Sequence, residues 1–118
     1  MASNLIQEKS YAFALNIVRF CRELQDSHEY VLSKQLLKSG TSIGANVEEA
    51  QQGQSKLDFI AKLSISLKEA HESDYWLRLI LDSGLDTNNQ VDSLRKELDS
   101  IISLLTAIIK TSKQNLTA

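Results

Sequence analysis

Between Leu36 and Leu81 apolar residues return every three or four positions, and the pattern breaks once, at Gly53-Gln54. That spacing is helical, and it predicts two long helices joined by a tight turn. Gly53 can end the first of them in the left-handed conformation that glycine tolerates. Ser55 with Asp58 opens the second with a capping-box pattern. So short a break forces the two helices to lie antiparallel and adjacent. The chain contains no proline, so nothing interrupts long helices elsewhere. In the first helix of the pair Leu36, Gly40, Ile43, Val47 and Ala50 form a heptad-like seam. Gly40 and Gly44 each cost about 1 kcal/mol against alanine in a helix interior. The compensation is either close approach of a neighbouring backbone or a kink.

Two further helices flank this pair. The segment from about Asn4 to Gln25 puts Ile6, Phe13, Ile17, Phe20 and Leu24 on one stripe, with Ala14 and Cys21 at its flank. Tyr11, Leu15 and Val18 extend the apolar surface, as a wide core face or as a second contact surface. Residues 26–32 form the longest connection, with Ser33 as N-cap of the next helix. At the other end Ser83-Gly84 closes the third helix, and Thr87 with Gln90 suggests a second capping box. Val91, Leu94, Leu98, Ile101, Leu105 and Ile108 then step by three and four, Ile102 and Ile109 broaden that stripe, and residues 114–118 are expected to fray. The expectation is an all-α fold, one domain over 1–118, an up-down-up-down four-helix bundle.

The third helix, about Lys56 to Asp82, has a main stripe of Ile60, Leu63, Leu67, Ala70, Leu77 and Leu81, interrupted by Asp74. On roughly the opposite face lie Ala61, Ile65, Trp76 and Leu79. The outer face of a helix in a monomer should be polar. These four residues are therefore the candidate oligomer interface, unless Trp76 and Leu79 wrap the end of their own core.

Charge and motif content exclude more than they assign. Thirteen basic and 15 acidic residues give a net charge of −2, with no overall drive toward nucleic acid or anionic membrane. Cys21 is the only cysteine, so no intrachain disulfide forms, as suits a reducing compartment. The N-terminus lacks a signal-peptide pattern, and no apolar run approaches the roughly 20 residues of a membrane span. The expectation is a cytoplasmic protein.

A di-metal bundle site needs Glu-x-x-His on two helices, but Gln25 precedes His28 by three residues and Lys68 precedes His71. Tyr75 stands where a zinc-protease helix would place its second histidine. No nucleophile elbow or phosphate loop occurs. We therefore expect no catalytic residue, no metal, no cofactor and no small-molecule substrate. Glu69 and Glu72 read as a solvated face. Asp74 reads either as a seam opening near a bundle end or as a bond to a neighbouring helix. Lys34, Lys38, Lys56 and Lys62 could converge as a nucleic-acid contact strip or lie scattered.

The stretch LLKSGTSIGANVEEAQQGQSKLDFIAKLSISLKEAHESDYWLRLI resembles the 23S rRNA-intervening-sequence protein family. The features that carry the resemblance are Ser42-Ile43, Ala45-Asn46-Val47-Glu48-Glu49, Ser55-Lys56, Phe59, Leu63, Lys68-Glu69-Ala70, Glu72 and Tyr75-Trp76-Leu77. They span the second and third helices; the outer two match in length and pattern. The resemblance implies an up-down-up-down bundle in bacterial cytoplasm, assembled as a homopentameric ring, with no catalytic residues. It leaves two roles: a self-assembling scaffold or partner-binding module, or an accessory that binds RNA or an RNA-associated protein. A similar fold occurs in the accessory protein of diversity-generating retroelements, a basic pentamer that binds a reverse transcriptase and nucleic acid.

Overall fold

The computed structural model describes the backbone of residues 2–117 and the side chains of residues 5–116. Four helices fill it: α1 (Ala2–Asp26), α2 (Val31–Gln51), α3 (Lys56–Asp82) and α4 (Val91–Thr117), with no strand among the described residues. They pack in cyclic order, each against its chain neighbours and α1 against α4, so that α1 and α3 lie on one diagonal and α2 and α4 on the other. The product is a rod of 51 × 22 × 20 Å.

Cross-helix contacts set the register. Ile17 of α1 meets Gly40 of α2, and Ser10 meets Gly44. Ser66 of α3 donates to the Ile43 carbonyl of α2, Ser39 bonds Ser73, and Lys62 pairs with Glu49. Residue numbers rise along one helix as they fall along the next, as the antiparallel arrangement demands.

The first stripe of α1 is the core: Ile6, Phe13, Ile17, Phe20, Cys21 and Leu24 are all buried. The seam of α2 is buried throughout. The two glycines do let α1 approach. A Cβ on Gly40 would stand 2.9 Å from Ile17 Cγ2, whereas one on Gly44 would reach Ser10 O at an ordinary 3.4 Å. In α4 Val91, Leu94, Leu98, Ile101 and Leu105 are buried, and Ile109 rather than Ile108 completes the row.

The buried row of α3 differs from the expected one. Leu67 is half-buried and Leu81 is exposed, while Ser66, Ser73 and Ile80 are buried. The helix is rotated to bring its small residues against α2. The close approach costs no unsatisfied hydroxyl, because Ser66 and Ser73 both find partners across the seam. Among the described residues no buried side-chain nitrogen or oxygen lacks a partner.

Several helix ends also depart from expectation. Ser33 is not a cap: α2 begins two residues earlier, and the Ser33 hydroxyl donates back to the Tyr30 carbonyl from inside the first turn. The 83–90 segment, not 26–32, is the longest connection. Gly53 is not left-handed; its φ is negative, and glycine is needed because a Cβ would stand 3.1 Å from the Ala50 carbonyl oxygen and 3.3 Å from Phe59 N. Asn89 (φ 53) is left-handed in the loop before α4; at helix C-termini the left-handed turns fall on Gly84 (φ 76) and, less predictably, His28 (φ 65). Each closes a Schellman-type cap, Leu85 N–H to Ile80 O at 3.1 Å and Glu29 N–H to Leu24 O at 2.8 Å. Ser55 does cap α3, accepting from Asp58 N–H. Thr87 does not cap α4. The Asp86 carboxylate takes its place, accepting from Gln90 and Val91 N–H at 2.8 and 3.0 Å; an ionised acceptor outcompetes a neutral hydroxyl. Finally, α4 stays helical to Thr117, against the fraying expected from residue 114; Ala118 lies outside the described residues.

Candidate interaction surface

The outer surface of this bundle is uneven. The outward positions of α2 carry Lys34, Lys38, Thr41, Ser42, Ala45 and Glu49, and those of α4 carry Asp92, Lys96, Asp99, Ser103 and Lys110. Both faces are mostly polar or small, with Val31 (72% exposed) at the start of α2 and Leu116 near the end of α4 as the exceptions. The two helices on the other diagonal are not. Along α1, Tyr11 (64% exposed), Leu15 (40%) and Val18 (38%) form one outward stripe. Along α3, Leu57 (65%), the exposed Ala61 and Ile65 (43%) form another, and Tyr75 (48%) stands apart from it beyond the exposed Lys68 and Glu72.

The four expected interface residues share the outer side of α3 but not one environment. Ala61 and Ile65 are fully outward. Trp76 and Leu79 are half-buried, and Trp76 packs against the core. Its indole N–H donates to Glu72 at 3.2 Å, and its ring meets Tyr75 edge-on at 5.1 Å. Trp76 thus supports its own core with one edge while the other remains in solvent. The stripe of α1 belongs to the surface and is not a widened core face.

Between the outer edges of α1 and α2 lies a groove of about 270 Å³, lined by Ser10, Tyr11, Ala14, Thr41, Gly44, Ala45 and, at one end, Glu48. It exists because the facing residues are small. It borders the exposed α1 stripe, and the sequence signal for it was the pair Gly44-Ala45 opposite Ala14.

The four lysines do not converge. Lys34 and Lys38 lie near the start of α2, level with the second half of α3; Lys56 and Lys62 lie at the other end of the antiparallel pair. From the helical rise of 1.5 Å per residue, Lys38 and Lys62 are separated by about 16 Å along the bundle. Lys62 is also tied to Glu49 at 2.9 Å.

The remaining polar groups serve the fold. Asp74 bridges two helices: it accepts from Arg95 of α4 at 2.8 Å and pairs with Arg78 at 3.2 Å. That hydrogen bond, set against some burial, raises the Arg95 pKa further. Burial, then the neighbouring Glu72, pushes the Glu69 carboxyl up, and Lys38 and Lys68 oppose this. Burial pushes the Cys21 thiol up to about 12, which leaves almost no thiolate at neutral pH. Among the described residues no group of three or more His, Cys, Asp or Glu side chains is placed to hold a metal ion. None of the described helices is long and apolar enough to cross a membrane.

Residues 3–107 match the family model described as 23S rRNA-intervening sequence protein. The chain belongs to that family. The match takes in α1, α2, α3 and most of α4, so it extends well beyond the two central helices that carried the resemblance. Among solved structures, the chain is similar to a protein of unknown function from the S23 ribosomal protein family of Bacteroides thetaiotaomicron. The two are 47% identical with a TM-score of 0.89, over 93% of this chain and 99% of that one. No curated protein matches. Family membership thus joins a name drawn from ribosomal RNA to a bundle whose exposed large apolar residues lie mostly on α1 and α3.

Proposed function

We propose that this member of the 23S rRNA-intervening sequence protein family is a non-enzymatic, self-assembling scaffold of the cytoplasm. The observation that carries the reading is the outer face of α3, where Leu57, Ala61 and Ile65 stand exposed on successive turns and Tyr75 follows beyond the exposed Lys68 and Glu72. Exposed apolar residues clustered on one face and bordered by polar ones are what an interaction surface presents. The assembly is a closed homo-oligomeric ring, with five copies on the resemblance set out above. The polar outer faces of α2 and α4 leave it soluble, and the inert, buried thiol of Cys21 suits a reducing compartment.

An RNA-binding accessory is the competing role. The placement of the lysines favours it less, because Lys34 and Lys38 are separated from Lys56 and Lys62 along the rod. Light scattering on untagged protein purified at low salt decides between them. The scaffold reading expects a mass of several protomers with no nucleic-acid absorbance, and Ile65→Asp should reduce that mass to one protomer with unchanged helical circular dichroism. A monomeric parent, or an Ile65→Asp variant that keeps the parent mass, overturns it. Excess mass absorbing like nucleic acid, released as salt rises, installs the RNA role instead.

A further inference from the structure

We draw no further inference here: the strongest candidate, the groove between the outer edges of α1 and α2 beside the exposed stripe of α1, carries nothing, because nothing in the structure shows what covers it.

Discussion

Helices α2 and α4 lie across one diagonal of the same bundle, yet they are held by different chemistry. α2 is held by small residues. Gly40 and Gly44 admit α1, and Ser39 meets Ser73 in a buried hydrogen bond of 2.9 Å while Ile43 accepts from Ser66 at 2.8 Å. α4 is held by aliphatic side chains and, at its margins, by charged and amide groups. Asp74 takes Arg95, Asn16 donates to Glu97, and Asn88 and Gln90 both donate to Glu23. Close backbone approach leaves no slack, so α2 is fixed in place by volume. The margins of α4 reach across more solvent and fix its register by pairing. A disturbance beside α2 should therefore cost more than an equally modest one beside α4.

The strongest test overfills the α2 seam. A single Cβ on Gly40 already presses on Ile17, which is fully buried. Gly40→Leu should therefore cost about 3 kcal/mol or more, at the upper end of overpacking penalties. Urea denaturation reads it as a lower midpoint. A loss under about 1 kcal/mol would mean that α1 can move away from α2, and that the seam is not fixed by volume. On the α4 side, Asp74→Ala removes a partly exposed bridge and should cost only about 1 kcal/mol, since solvent screens such pairs. The Asp74→Ala cost should shrink in 1 M salt, where charge interactions between exposed groups are screened over a few ångströms, while the Gly40→Leu cost should not.

Gly44 sharpens the contrast within one helix. Its added Cβ would make only an ordinary contact with the Ser10 carbonyl, so Gly44→Ala should be neutral or should stabilise by up to about 1 kcal/mol through helix propensity. If it destabilises as Gly40→Leu does, α2 has one uniformly tight seam. Opposite outcomes at two glycines four residues apart would show that tightness is local to Ile17.

These features also show what a sequence reveals. The fold was legible because the stripes of α1, α2 and α4 follow the helical period with few polar intrusions. The α3 stripe was misplaced because hydrophobicity alone favours Leu67 and Leu81 over Ser66 and Ser73. A buried serine is invisible until its partner is known, and here the partners are a carbonyl and a hydroxyl on α2. Caps failed for a similar reason. Thr87, Ser33 and Gly53 are good cap residues in isolation, but Asp86 offers a charged acceptor, α2 starts earlier, and the start of α3 crowds Gly53. At the surface, the outer face of α3 was readable as apolar residues where polar ones belong. The corresponding stripe of α1 had two readings until neighbours were placed around it. Whether the lysines converge or scatter stayed open because sequence distance hides the antiparallel turn between them.

The smallest expected effect concerns Glu69, on the edge of α3 that faces α2. Its carboxyl pKa is raised, chiefly by burial and next by Glu72. A carboxyl whose folded pKa exceeds its unfolded one binds protons more tightly in the folded state. It therefore favours folding at low pH and opposes it once both states are ionised. Glu69→Gln removes that penalty, so it should stabilise slightly near pH 7, by tenths of a kcal/mol (about the size of a surface substitution). The gain should fade as pH falls through the ordinary carboxylate range. Paired urea titrations at pH 7 and pH 4 measure it. A gain that persists at pH 4 would assign the effect to packing, and a loss at pH 7 would mean that Lys38 and Lys68 outweigh burial. In that last case charge as well as volume would hold the α2 seam, and the contrast with α4 would be one of degree.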